Sequence, residues 1–137
     1  MQEVIAELRV PARADRLGMV RDIIKRSADA AGCDKKLGDS LVIAVNEACM
    51  NIIQHAYNNT GAGDIAMHVS LIDGQLRIRL VDSAAPVNLD NVKSRDLEDI
   101  RPGGLGVHFI REIMDRVDMG HLEQGTGNYL EMVKNIT

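Results

Sequence analysis

The sequence predicts an α+β fold, a two-layer sandwich in which helices cover one face of a mostly antiparallel, mixed sheet. Three observations predict it. Apolar residues at strand alternation and at helical spacing follow one another as strand, helix, helix, strand pair, long loop, helix, strand pair. Tight turns, not helices, join the members of each strand pair. No glycine-rich loop links an early strand to its helix, which removes the Rossmann and P-loop alternatives. A chain of 137 residues, 45% hydrophobic and 26% charged, has the size and composition of a single globular domain.

The elements follow in order. "QEVIAELRV" at 2–10 alternates as a strand does, and Pro11 ends it. From Ala12 to Ala31 the apolar residues Leu17, Val20, Ile24, Ala28 and Ala31 recur at helical spacing, with Gly32 as a stop. Asp34 caps a second, central helix with the apolar stripe Leu41, Val45, Ala48, Cys49, Ile52, Ile53 and Ala56, closed by the turn-rich "NNTGAGD" at 58–64. "IAMHVSLI" at 65–72 and "QLRIRLV" at 75–81 flank Asp73-Gly74, the strongest short signal for a hairpin. From Asp82 to Pro102 no periodicity is sustained, and a loop of that length in a compact domain is usually a functional segment, a disordered one or a lid. "GGLGVHFIREIMDRV" then becomes a helix through Val107, Ile110, Ile113, Met114 and Val117, and "DMGHLEQGTGNYLEMVKNI" reads as a second hairpin around Gln124-Gly125-Thr126-Gly127.

Composition narrows the function. The apolar runs are too short to span a bilayer and the first ten residues are not of the charged-then-apolar signal type, so a cytoplasmic protein with no membrane partner is expected. Cys33 and Cys49 lack C-x-x-C spacing and are expected to be reduced, with Cys49 on the apolar stripe. A formal net charge of −4, a pI of about 5.5 and 2% aromatic residues argue against direct binding of nucleic acid. Any adenine ring must then be held by aliphatic walls and hydrogen bonds. The four histidines are scattered without metal-ligand spacing, and Arg13, Arg16, Arg21, Lys25 and Arg26 form a solvated basic side of the first helix.

Three groups of residues can carry chemistry. On the polar side of the central helix Glu47 and Asn51 stand at i and i+4, a carboxylate beside a carboxamide. Asn51 offers a hard oxygen for Mg²⁺ and Glu47 a base for an attacking hydroxyl, while a plain solvated helix face has the same pattern. Asp82 leaves a strand's carboxyl end, placed either to accept from a ligand amine or to start a turn. Gly103, Gly104 and Gly106 precede a helix, where bare backbone and oriented N–H groups suit a phosphate, or simply a flexible linker.

Together these residues resemble the GHKL ATPase superfamily, the Bergerat-fold group with the histidine-kinase-like ATPase fold, and within it the single-domain anti-sigma factor serine-protein kinases. "NEACMNIIQHAY" supplies Glu47, Ala48, Asn51, His55 and Ala56 of that branch's central-helix box. Asp82 with Pro86 matches the next box, "GGLGVHFI" the glycine box, and Thr126 and Asn128 in "GTGNYLEMVK" the closing hairpin. The resemblance spans essentially the whole chain. It implies that residues 1–137 form one ATP-binding kinase domain with an ATP lid within 87–104. It further implies that Glu47 is the catalytic base, that Asn51 coordinates Mg²⁺, and that Asn51, His55, Asp82, Gly103, Gly104, Leu105, Gly106 and Thr126 bind ATP. The implied partners are an anti-sigma factor antagonist as phosphoacceptor protein and a sigma factor. The oligomeric state is not fixed by the sequence, and the strand-like N-terminus is able to pair across a homodimer. One departure stands out: the family commonly has glycine two residues after the adenine-binding Asp, where this chain has Ala84. A requirement for positive φ there would exclude alanine, whereas a site needing only a small residue tolerates it. The rival readings are a non-catalytic interaction module, with or without nucleotide, and an ATPase-type domain serving a partner unrelated to sigma factors.

Overall fold

The structure is a computed structural model, and it describes residues 2–85, 106–122 and 127–136. Strand β1 spans Gln2–Pro11, and a 3₁₀ turn at Ala14–Arg16 leads into helix α1, Leu17–Ala30. The helix expected from about Ala12 thus begins later, behind a tighter opening turn, and it stops before Gly32. Helix α2, Lys35–Asn51, opens on Asp34, whose carboxylate accepts from the Leu37 N–H at 2.8 Å, satisfying one of the donors a helix start leaves free. Strands β2, Asp64–Ile72, and β3, Gln75–Asp82, are joined through Asp73 and Gly74 at φ 50° and 79°. Positive φ at both central residues is the conformation that matches the twist of a two-residue hairpin.

Helix α3 covers Gly106–Ile113, followed by β4, Arg116–His121, and β5, Asn128–Asn135. The helix expected to run on to Val117 thus ends four residues earlier. Val117 is in a strand, where Val117 and Met119 alternate towards the core, and its helical spacing from Ile113 is a coincidence of the two periods. The second hairpin is present as the antiparallel pair β4–β5, with Val117 opposite Met132 and Met119 opposite Leu130.

The strand order is β1-β2-β3-β5-β4. All four pairings are antiparallel among the described residues, so the sheet lacks the mixed character expected of it. The chain leaves β3, passes through α3 to the far edge as β4, and folds back so that β5 lies between β3 and β4 and runs against both. Along β2 and β3, Ile65, Met67, Val69, Leu76, Ile78 and Leu80 are each buried to 2% exposure or less and face the helices. Leu17, Val20 and Ile24 of α1 and Leu41, Val45 and Cys49 of α2 meet them in one core, where burying each large aliphatic side chain stabilises the fold by about 2 kcal/mol.

Candidate functional site

Helix α2 has two working faces. Leu41, Val45 and Cys49 pack on the core. Ala48, next to Glu47, and Asn51 and Ile52, one turn further on, border an open cleft, joined from the following turn by His55 and Ala56. Ile110 of α3 and Met119 of β4 line the cleft as well, as do Asp82 and Asn128, paired on the neighbouring strands β3 and β5. The side of α2 that its polar residues mark as solvated is therefore a cleft wall, and Asn51 and His55 are half-buried.

After Asn51 the helix widens into a π turn, Ile52–Ala56, which carries His55. A turn of this kind adds one residue per winding and displaces the residues after it relative to a continued α-helix, and it occurs often at functional sites. Tyr57 closes it. Its buried phenol donates to the Asp64 carbonyl at 2.8 Å, accepts from the Ser83 backbone N–H at 2.9 Å and lies 3.2 Å from Ser83 Oγ. One hydroxyl thus ties the end of the α2 segment to the start of β2 and to the residue after Asp82.

Asp82 is only 4% exposed. Two of the hydrogen bonds to its carboxylate converge on Oδ1, from the Ala84 N–H at 3.0 Å and from Asn128 Nδ2 at 2.9 Å. Burial pushes this carboxyl above its ordinary value, and the Asn128 amide and the backbone N–H groups of Ala84 and Asn128 pull it part of the way back. The backbone around it leaves no slack: Gly127 has φ of 103° and donates to the Ala84 carbonyl at 3.0 Å, and a Cβ on it would lie 2.5 Å from the Asp82 carbonyl oxygen. Only glycine fits there.

Ala84 settles the question raised by the missing glycine. The non-glycine residues with positive φ among those described are Asn58, Asn59 and Asp73, so Ala84 adopts a conformation open to any residue. Its methyl group belongs to the hydrophobic core and does not line the cleft.

Of the residues expected at the site, Asn51, His55 and Asp82 share the cleft. Glu47 lies one turn before Asn51, half-buried, and is not among the cleft's lining residues. Gly106 is the first residue of α3, the helix whose Ile110 closes the cleft. Gly103, Gly104, Leu105 and Thr126 lie outside the described residues, as does the segment read as a lid. Among the described residues no three His, Cys, Asp or Glu side chains gather as metal ligands would. The sequence reading passed over two contributors. Tyr57 stood at the end of the quoted helix box with no role given to it, and Asn128 was placed only in the closing hairpin; that its strand position pairs with Asp82 emerges only in the sheet.

Residues 10–134 match the family model described as a histidine kinase-like ATPase domain. The chain is 29% identical over 136 residues to a serine-protein kinase RsbW of Halalkalibacterium halodurans, covering 93% of this chain and 81% of that protein. It is 30% identical over 125 residues to a serine-protein kinase RsbW of Bacillus thuringiensis, covering 85% of this chain and 78% of the relative. Solved structures share its fold: the RsbU and RsbW domains of a Mycobacterium tuberculosis protein superpose with a TM-score of 0.67 at 16% identity, over 96% of this chain and 32% of that one. The SiaB-SiaC complex of Pseudomonas aeruginosa gives a TM-score of 0.67 at 14% identity, over 95% of this chain and 89% of the other. With its E-x-x-x-N helix, its buried strand-end aspartate and the antiparallel sheet that brings them to one cleft, the chain belongs to the histidine kinase-like ATPase domain family, beside the serine-protein kinases RsbW.

Proposed function

We propose that the chain is an ATP- and Mg²⁺-dependent protein serine/threonine kinase and anti-sigma factor of a bacterial partner-switching system, with an anti-sigma factor antagonist as its phosphoacceptor. The observation that carries the reading is the convergence of Asn51, His55 and Asp82 on one aliphatic-walled cleft in a chain of this family. The residues suit the ligand. Ala48, Ile52, Ala56, Ile110 and Met119 offer the apolar walls that a base needs in a protein with so few aromatics, and Asp82 offers a buried acceptor for its amine.

In this reading Asn51 would hold Mg²⁺ through its carboxamide oxygen, His55 would flank the nucleotide from the π turn, and Asp82 would select the base. Gly103, Gly104, Leu105 and Gly106 bring backbone N–H groups to the phosphates, and Thr126 assists at the base end. When bound, Mg²⁺ would offset the negative charge of the phosphoryl group transferred from the nucleotide. Glu47, a turn away from Asn51, takes the proton from the partner's hydroxyl. The unphosphorylated antagonist draws the kinase away from a sigma factor, and phosphorylation releases it. β1 is an edge strand with Val4 58% exposed, and this supports a homodimer paired along that edge. No helix among the described residues is long and apolar enough to cross a membrane, in keeping with a cytoplasmic site of action.

Calorimetric titration with ATP, with and without Mg²⁺, tests the reading. Binding is expected to depend on magnesium and to be lost in Asn51→Ala. An absence of binding at millimolar ATP would leave the interaction module as the better account, although Ala84, the residue that favoured it, does not obstruct the cleft.

A further inference from the structure

Asn128 is out of place by the rules that govern its neighbours. On the helix-facing side, β3 and β5 set Leu80 opposite Leu130 and Ile78 opposite Met132, apolar against apolar. The next pair along is Asp82 opposite Asn128, the two residues 4% and 5% exposed. Asparagine is poorly suited to strand interiors, and an amide buried without partners is strongly unfavourable. Here the amide has partners: Nδ2 donates to Asp82 Oδ1 at 2.9 Å and to the Ala85 carbonyl at 3.2 Å.

Those bonds fix an orientation. A carboxylate turns easily about its last side-chain torsion, and the Ala84 N–H alone would leave that rotation loosely held. With Asn128 added, two donors grip Oδ1, and the Asn128 backbone N–H bonds the same carboxylate, so the group is held in one orientation. An acceptor held in one direction inside a low-dielectric pocket discriminates strongly between a ligand that donates to it and one that presents an oxygen.

We propose that Asn128 is a positioning residue for purine selection: by holding Asp82 through Oδ1 it fixes the direction in which the carboxylate meets the exocyclic amine of the base, and so sets the preference for a 6-amino purine over a 6-oxo purine. The proposal rests on the reading of Asp82 as the group that contacts the base. Replacing Asn128 by an apolar residue weakens selection of the base while leaving the contribution of the phosphates in place.

The test compares binding of MgATP and MgITP to the whole chain, because ITP differs by carrying a 6-oxo group in place of the amine. Asn128→Val and Asn128→Thr have nearly the same shape, and only threonine keeps a donor for Oδ1. The ratio of the ATP to the ITP affinity is expected to fall about tenfold or more in Asn128→Val and to be largely retained in Asn128→Thr. Being a ratio taken on the same folded population, it is insensitive to a general loss of stability. In turnover, the KM for ATP should rise in Asn128→Val with little change in kcat at saturating ATP. An unchanged ratio in Asn128→Val overturns the proposal. Asp82→Asn separates the two levels: if it too leaves the ratio unchanged, the role given to Asp82 is wrong, and if it lowers the ratio while Asn128→Val does not, only the positioning role fails. The unsubstituted protein gives a second readout independent of folding. Its Asn128 side-chain amide protons should exchange slowly with water with and without ATP, and exchange as fast as that of an exposed amide would rule out the proposed grip.

Discussion

Asp82 combines burial with a charge, and the two oppose each other. Its carboxyl is raised chiefly by loss of solvent, with hydrogen bonds offsetting part of the effect. The folded chain therefore holds this proton more tightly than the unfolded chain does. The resulting contribution to stability is present in full below the ordinary carboxyl value and is lost as pH rises through the raised one, so at neutral pH the ionised group opposes folding. Asp82→Asn keeps an oxygen to accept from Ala84 and Asn128 but has no charge to bury. Thermal melts should show it more stable than the parent at pH 7, with the difference closing as the pH falls below about 4, and this gain should accompany weakened ATP binding. Glu47 is argued from position on α2, not from contact with the cleft. Glu47→Gln is expected to lower phosphoryl transfer to the antagonist by roughly 10²–10⁴-fold with ATP and partner binding retained. Regulation of the partner that survives this change in the presence of ATP would mean that the chain works by binding alone.

At the scale of elements, the strut at Tyr57 joins three segments that the sequence presents separately. Tyr57→Phe removes the acceptor of the Ser83 N–H and the donor to the Asp64 carbonyl without changing the ring. The expected loss is about 1–3 kcal/mol, measured by denaturant unfolding, with faster amide exchange at Ser83. The elements also show what a sequence can and cannot disclose. The Asp34 cap, the Asp73-Gly74 hairpin and the alternation of β2 and β3 were legible because each is set by near neighbours in the chain. The end of α3 was not, since Ile110, Ile113, Met114 and Val117 satisfy helical spacing across a boundary that only the pairing of Val117 with Met132 reveals. The Tyr57 hydroxyl bonds and the grip of Asn128 on Asp82 depend on partners 7 to 46 residues away and leave no local mark. Asn51 and Asp82 were legible as chemistry, whereas the fact that they share a cleft belongs to the fold.

Across the whole molecule, Cys49 reports on the integrity of the core. It is fully buried, and burial pushes its thiol up to about 12, so neither access nor thiolate is on offer in the folded chain. A thiol reagent should modify it only through global unfolding, while the half-buried Cys33 reacts sooner. Because a ligand of the native state lowers the unfolded population by mass action, ATP at about a hundred times its Kd should slow modification of Cys49 about a hundredfold. Labelling by mass spectrometry checks this, and a rate indifferent to ATP would point to a local opening beneath α2.

The insertion of β5 between β3 and β4 also bears on how the protein comes into being. On the ribosome α2 emerges early, bringing Asn51, and β3 comes next with Asp82. Until Asn128–Asn135 are free of the exit tunnel, β3 lacks its neighbour on that side, β4 has nothing to pair with, and Asp82 has no Asn128 to hold it. On the function proposed above, a nascent chain of this fold meets ATP before its cleft is complete, and nucleotide capture waits on the strand that locks the sheet.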